Sequence, residues 1–273
     1  MKTETSSILD LNKELIISLY LEGTSCNNIS KRFNCYPQTI TTRLCKWLNR
    51  DSLRPNQGNV RYFENIDSSI KAYFIGFIAA DGCVQQIGSK SKSLSITIHN
   101  KDRQVLERLK AEIGCEHELM YIPSKDHIRF VLTNEYLIKD LAASGIYERK
   151  SLTMKNFLLK IPKQFRKAAI LGYFDGDGSI CVRYHLGKYR KQAIQIRATE
   201  DVCKGIMEEL KITPFHISFT DSIPSLCISS LKGVLQFFQI YKECDFFLQR
   251  KYEKFLLLQK QDQTISSSTA LSV

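Results

Sequence analysis

Several features that would place a protein in a common class are missing from this 273-residue chain. Its nine cysteines include no C-x-x-C pair, which argues against zinc fingers and ribbons, because those sites need closely spaced ligands. No run approaches the ~20 apolar residues of a membrane-spanning helix, and the N-terminus lacks an apolar leader segment. We therefore expect a protein with reduced thiols and no membrane partner, located in the cytoplasm, at the nucleoid or inside an organelle.

Acidic residues are scarce relative to basic ones. The chain has 39 Lys and Arg against 28 Asp and Glu, giving a formal charge of +11. A surplus of this size favours a polyanionic partner, either nucleic acid or an acidic membrane surface. Nucleic acid is the preferred interpretation, and a merely basic soluble protein is the alternative.

Residues 1–54 are predicted to form a small all-α domain of three short helices. Pro37 is placed to begin the third helix, because the missing N–H costs nothing in a first turn. That helix is expected to run to about Trp47 and to bury Ile40 and Leu44. The pattern resembles a helix-turn-helix, whose third helix enters the major groove, and a three-helix structural cap is the alternative. The candidate DNA contacts on its other face are Gln38, Thr39, Thr42 and Arg43.

The remainder of the chain repeats one order of elements. Each copy is predicted to begin with an apolar helix, to continue with short strands and to include further helices, so an internal duplication is the simplest account. The predicted boundaries are 55–68 for a polar linker, 69–164 and 165–260 for the two copies, and 261–273 for a disordered polar tail.

Both copies open on an apolar helix that ends in Asp-Gly, "AYFIGFIAADG" at 72–82 and "AAILGYFDGDG" at 168–178. Small residues four positions apart share one face of a helix, so each helix presents a stripe almost without side chains. Glycine inside a helix costs roughly 1 kcal/mol relative to alanine, which implies a packing reason for it. We expect the two helices to pack through these stripes at unusually short range. The interface residues are Gly76, Ala80, Gly172 and Gly176.

Asp81 and Asp177 end these helices, where the helix dipole disfavours an anion. Gly82 and Gly178 are predicted to follow as left-handed C-caps. If the helices lie side by side, the two carboxylates meet at one end and repel unless a cation lies between them. Oxygen ligands partly open to a phosphate suit Mg²⁺ best, with Mn²⁺ as the alternative. A simple turn into a strand is the other interpretation of each Asp-Gly.

The segments "FIGFIAADG" and "ILGYFDGDG" resemble the two signature helices of single-chain LAGLIDADG homing endonucleases. This resemblance implies an α+β fold of two pseudo-symmetric αββαββα halves with antiparallel, saddle-shaped sheets, here preceded by the helix-turn-helix domain. It also implies double-strand cleavage of DNA at a long site by metal-dependent phosphodiester hydrolysis. The sixth motif position, usually Asp and structural in the family, is Ala79 in the first copy and Asp175 in the second.

The resemblance also implies which residues form the site. The segments "ERKSLTMKNF" and "LQRKYEKF" are similar to those that place a basic residue beside each scissile phosphate, and they point to Lys150 and Lys251. A lysine there can stabilise the pentacoordinate phosphate or orient a water molecule. A lysine on a solvated helix end is the alternative for each. The residues assigned to the metal site are Asp81, Asp177, Ala80 and Gly176, with both aspartates and both lysines catalytic.

Alternating apolar and polar residues after each Asp-Gly predict half-buried strands with one polar face. Leu94, Ile96 and Ile98, for example, are expected to point inward. The polar face is rich in Gln, Arg, His and Thr, which can read base edges in the major groove. The candidate DNA contacts on the strands are Gln85, Thr97, His99, Arg129, Arg183, His185, Gln195 and Arg197.

Two other functions fit the same features. One is a DNA-binding regulator that keeps the sheets without the chemistry, but such a protein has no need of both acids. The other is a maturase, which would add intron RNA to duplex DNA as a partner, since a basic saddle suits either nucleic acid. In each case the protein is expected to act as a monomer.

Overall fold

The computed structural model describes residues 8–21, 24, 26–49, 58–87, 91–185, 189–219, 223–257 and 259. The chain divides into two compact units, Met1–Asn56 and Gln57–Val273. Among the described helices, none is both long and apolar enough to cross a membrane.

The first unit is helical, as predicted. Its helices are α1 (Lys13–Leu21), α2 (Cys26–Arg32) and α3 (Pro37–Trp47). Their small core consists of Leu9, Ile16, Ile29, Ile40 and Leu44. Leu11, just before α1, is exposed. Leu9, which precedes α1, and Ile16 within it are both buried.

The second unit contains the duplicated elements in the predicted order. The first copy comprises α4 (Ser69–Asp81), β1 (Gly82–Ile87), β2 (Ser91–His99), α5 (Arg103–Ile113), β3 (Met120–Ile122), β4 (His127–Leu132) and α6 (Glu135–Ala143), followed by the short α7 (Lys150–Thr153). The second copy comprises α8 (Arg166–Asp177), β5 (Gly178–His185), β6 (Tyr189–Arg197), α9 (Glu200–Leu210), β7 (His216–Ser218), β8 (Ser225–Ile228), α10 (Leu231–Phe238), α11 (Ile240–Glu243) and a last helix α12 at 249–257.

The two copies build equivalent antiparallel sheets. Their strand orders are β1-β2-β4-β3 and β5-β6-β8-β7. The strand after each Asp-Gly pairs in the same register, with Gly82 opposite Ile96 and Gly178 opposite Ile196. Leu94, Ile96 and Ile98 are buried as predicted, because alternate side chains of a strand face the core. The α+β architecture of two αββαββα halves is thus confirmed.

The helices α4 and α8 lie at the centre of a single core shared by both halves. Every residue from Ala72 to Ala79 in α4, and from Ala168 to Asp175 in α8, is buried. A helix that is apolar on all sides must be surrounded by protein, and here each helix has the other copy as its neighbour. Ser68 caps the start of α4 by accepting a hydrogen bond from the amide of Lys71 at 3.4 Å.

The segment predicted as a linker at 55–68 behaves differently over its described part. Tyr62 and Phe63 are buried in the core of the second unit. The Tyr62 hydroxyl donates to Glu112 at 3.1 Å, and the amide of Asn59 donates to the carbonyl of Ile113 at 2.7 Å. The polar composition of the segment concealed these two anchoring aromatics. The predicted tail, 261–273, lies outside the described residues.

Candidate active site at the ends of the central helices

The central helices α4 and α8 are in backbone contact where the small residues lie. A Cβ added to Gly76 would lie 1.9 Å from the carbonyl oxygen of Ala169, and one on Gly172 would lie 1.9 Å from that of Tyr73. Both distances are far inside van der Waals contact. Glycine is therefore required at these two positions by the distance between the helices, which offsets its cost within a helix.

The same contact continues to the helix ends, where the acids lie. A Cβ on Gly176 would lie 2.4 Å from the Cβ of Ala80 and 3.2 Å from Oδ2 of Asp81. The Asp81 carboxylate thus lies against α8 at Gly176, the residue before Asp177. The structure brings together the residues that the sequence assigned to the metal site.

The two carboxylates influence one another electrostatically. Burial, followed by the charge of Asp177, raises the pKa of Asp81 to about 6. Burial also raises the pKa of Asp177, although its side chain reaches the surface, and the nearby charges of Lys150, Lys251 and Arg197 oppose that rise. Two acids with raised pKa values at one point indicate a site built to receive positive charge.

Lys150 and Lys251 are buried at the same place, each with 5% of its surface exposed. Lys150 Nζ donates to the carbonyl of Ala80 at 3.0 Å. The alternative of a lysine on a solvated helix end therefore does not hold for either residue. Each ammonium also lies at the carbonyl end of a central helix, where the dipole favours a cation.

Lys251 is held more firmly than Lys150. Its ammonium donates to the carbonyls of Phe174, Asp175 and Gly178 at 2.6, 2.8 and 2.6 Å. Burial lowers the pKa of Lys251 to about 8. An ammonium has three N–H donors, and the backbone of the second copy engages all three.

The glycines after the acids are not left-handed caps, so that prediction was wrong. Gly82 has φ −75° and Gly178 has φ −92°, both with extended ψ, and each helix passes directly into its strand. The reason for glycine is steric. A Cβ at Gly82 would lie 2.5 Å from the carbonyl oxygen of Ile78, and one at Gly178 would lie 2.1 Å from the Phe174 ring.

Asp175, at the sixth motif position of the second copy, is a buried structural acid. It accepts hydrogen bonds from the hydroxyls of Tyr73 at 2.8 Å and Tyr241 at 3.3 Å, and from the amide of Leu248 at 2.6 Å. These bonds connect α8 to α4 and to the segment that leads into α12. Ala79, the equivalent in the first copy, is buried without a carboxylate.

The polar faces of the sheets carry the predicted DNA contacts. Thr97 and Arg129 are cross-strand partners, and the Arg129 guanidinium donates to the Thr97 hydroxyl at 3.1 Å. His99 lies beside His127, with ring centroids 5.7 Å apart. Among the other candidates, Gln85 and Arg197 are exposed and Gln195 is half-buried. The side chains of Arg183 and His185 lie outside the described residues.

In the first unit, the candidate contacts on α3 are not equally available. Gln38 and Thr42 are exposed, and the Thr42 hydroxyl donates to the carbonyl of Gln38 at 2.9 Å. Thr39 is half-buried. Arg43 forms an ion pair with Asp10 and lies over the Trp47 ring at 5.8 Å. Arg43 therefore already has partners within its own unit.

The donor set at the helix ends fits a hard divalent cation that takes most of its ligands from water and phosphate. Within the described residues, no group of three or more His, Cys, Asp or Glu could hold a metal ion. Two carboxylates leave most of an octahedral shell to water and phosphate oxygens, which is the usual arrangement for Mg²⁺.

Comparison with known proteins supports the architecture. Residues 68–112 match a family model described as a LAGLIDADG-like domain. No curated protein sequence matches the chain. Among solved structures, the chain is similar to the I-LtrWI LAGLIDADG homing endonuclease bound to target DNA, at 16% identity and a TM-score of 0.53 over 76% of this chain and 92% of that one.

Two further structures resemble it to the same degree. The LAGLIDADG meganuclease I-AabMI, bound to uncleaved DNA, has 12% identity and a TM-score of 0.55 over 71% of this chain and 91% of that one. The LAGLIDADG homing endonuclease I-GzeII, in complex with its DNA target, has 12% identity and a TM-score of 0.51 over 72% and 91%. This chain therefore contains a LAGLIDADG-like domain and has the fold of the LAGLIDADG homing endonucleases.

Proposed function

We propose that the protein is a homing endonuclease that makes site-specific double-strand breaks in DNA, with Asp81 and Asp177 binding Mg²⁺ or Mn²⁺. The observation that carries this proposal is the junction of the central helices. There, glycine ridges bring two acids together, and two buried lysines, Lys150 and Lys251, lie beside them. One chain supplies both copies of this machinery, so the protein acts as a monomer.

Duplex DNA is the substrate that fits the surroundings of this site. The polar strand faces offer Gln, Thr, His and Arg side chains, and the chain carries a formal charge of +11. The three similar structures were all solved with DNA. The first unit would contribute flanking contacts as a helix-turn-helix, through Gln38, Thr39 and Thr42 rather than Arg43.

The residues of this chain have separable roles in hydrolysis. A divalent ion, when bound, would polarise a phosphate oxygen and lower the pKa of a water molecule. Asp81 and Asp177 would hold such ions beside the scissile phosphates of the two DNA strands. Lys150, with one of its three N–H donors on the Ala80 carbonyl, can donate to a phosphate oxygen as negative charge develops. Lys251 is committed to three carbonyls and supplies fixed positive charge.

A regulator without chemistry explains the site less well. Burying two carboxylates against each other raises the pKa of Asp81 to about 6, so their ionisation opposes folding at neutral pH. A protein that only bound DNA would lose nothing by replacing one of them. Retention of both favours a catalytic role.

The test is a cleavage screen on a randomised duplex library, with Mg²⁺ or with EDTA, followed by assays on the recovered site. D81N should bind that site normally and fail to cut at least one strand. D67N is the matched control, because Asp67 is an exposed acid that pairs with Lys71 outside the site. If D81N cut both strands at the wild-type rate, the catalytic assignment would be wrong.

A further inference from the structure

An ion pair connects the first copy to α12, the helix that carries Lys251. Asp102, buried between β2 and α5, accepts two hydrogen bonds from the Arg250 guanidinium, at 2.5 Å from Nε and 2.6 Å from Nη2. Arg250 immediately precedes Lys251 on α12. We infer that Asp102 is a positioning residue that acts through Arg250 on Lys251, and this inference rests on the proposed nuclease function.

The geometry of α12 gives the reason. Consecutive helical residues differ by about 100° around the axis, so Arg250 and Lys251 reach different partners from one rigid segment. A bidentate arginine–carboxylate pair fixes both the distance and the orientation of its two groups. Holding Arg250 therefore fixes the rotation of α12, and with it the three carbonyl contacts of the Lys251 ammonium.

A small rotation of α12 about its axis would displace the Lys251 ammonium appreciably. A lysine ammonium lies at least about 6 Å from its helix axis, so a rotation of about 10° moves it by roughly 1 Å. A displacement of about 1 Å within a catalytic arrangement can lower a rate by about 100-fold. Leu248, whose amide donates to Asp175, anchors the start of α12 to its own copy. Asp102 supplies the anchor from the other copy.

Among its described residues, the first copy has no equivalent ion pair. Lys150 lies on the four-residue helix α7, and the residue before it, Arg149, is exposed with φ +55°. Within the described part of the chain, no ion-pair partner is found for Arg149. Replacing Asp102 should therefore slow cleavage of only one of the two DNA strands, the one whose cleavage depends on Lys251.

The experiment follows single-turnover cleavage of a duplex labelled separately on each strand. K251M and K150M first identify the strand that each lysine serves. D102N should slow the Lys251 strand by about tenfold or more and leave the other strand and the DNA affinity within about twofold. In the K251M background, D102N should add less than about twofold, since it acts through that lysine.

Two further variants separate positioning from stability. E209Q breaks a comparable ion pair, Arg166–Glu209, outside the site and should alter neither strand. R250K keeps the charge but loses the bidentate geometry, so it should slow the same DNA strand as D102N by a smaller factor. If D102N does not fold, R250K takes its place in the experiment.

The outcomes are distinguishable. A wild type that cuts no DNA would overturn both the proposed function and this inference. If the wild type cuts DNA but D102N and R250K slow both DNA strands equally, the inference alone is overturned. The same holds if either variant adds its full effect to that of K251M.

Discussion

Replacing Gly76 with alanine should separate the central helices and disable the site. The new Cβ would lie 1.9 Å from the Ala169 carbonyl oxygen, whereas ordinary contact begins at 3.4 Å, so α4 and α8 must move apart by about 1.5 Å. Overpacking of this kind costs about 3 kcal/mol, and the higher helix propensity of alanine returns about 1 kcal/mol. The expected net loss of about 2 kcal/mol lowers the melting temperature by about 4–8 °C.

The effect on cleavage should exceed the effect on stability. Because Asp81 and Asp177 sit on the two separating helices, a shift of more than about 1 Å should lower the cleavage rate about 100-fold under conditions where the protein stays folded. G233A is the matched control, since a Cβ on that helical glycine meets only side-chain atoms, at 2.8–3.0 Å. Calorimetry and single-turnover cleavage test this together. A G76A protein with wild-type melting temperature and rate would refute the close-packing argument.

Three other predictions concern charge. Mg²⁺ should raise the melting temperature of the wild type but not of D81N or D177N, and the effect should fade as the pH drops through about 6, because the pKa of Asp81 lies near 6 and its protonated form does not bind metal. Burial raises the pKa of Asp140, so ionisation of this group opposes folding; in urea titrations, the unfolding free energy of the wild type should fall relative to D140N as the pH rises above the ordinary range of an aspartate. R129A should weaken binding and relax sequence preference at one base position in a selection assay, whereas T97S, which keeps the hydroxyl that accepts from Arg129, should do neither.

Local sequence patterns determined much of the fold. The apolar helices ending at Asp81 and Asp177, the strands after them and the inward positions of Leu94 and Ile96 all follow from periodicity, which neighbouring residues encode. The duplication then implied that the two acids meet, because equivalent helix ends of a symmetric pair lie together. The small-residue stripes indicated the contact itself. Lys150 and Lys251 carried no such local signal and came only from the family resemblance.

Contacts between distant parts of the chain had no signal in the pattern. Asp175 meets the Tyr73 hydroxyl 102 residues away, and Asp102 meets Arg250 across 148 residues. The Arg-Lys pair recurs at Arg149 in the first copy and at Arg250 in the second, but within the described part of the chain an ion pair is found only for Arg250. The glycine after Asp81 was misread for a related reason, since its need comes from crowding by the helix end rather than from a positive φ.

The sequence by itself thus determined the elements, their duplication and the pair of acids, because these depend on residue periods and on chemistry within a few positions. Tertiary structure alone decided how Lys251 is held by three carbonyls, which groups donate to Asp175, and how the first copy reaches Arg250. These contacts depend on how helices and strands that are distant in sequence pack against each other, and residue spacing within a few positions carries no information about that packing.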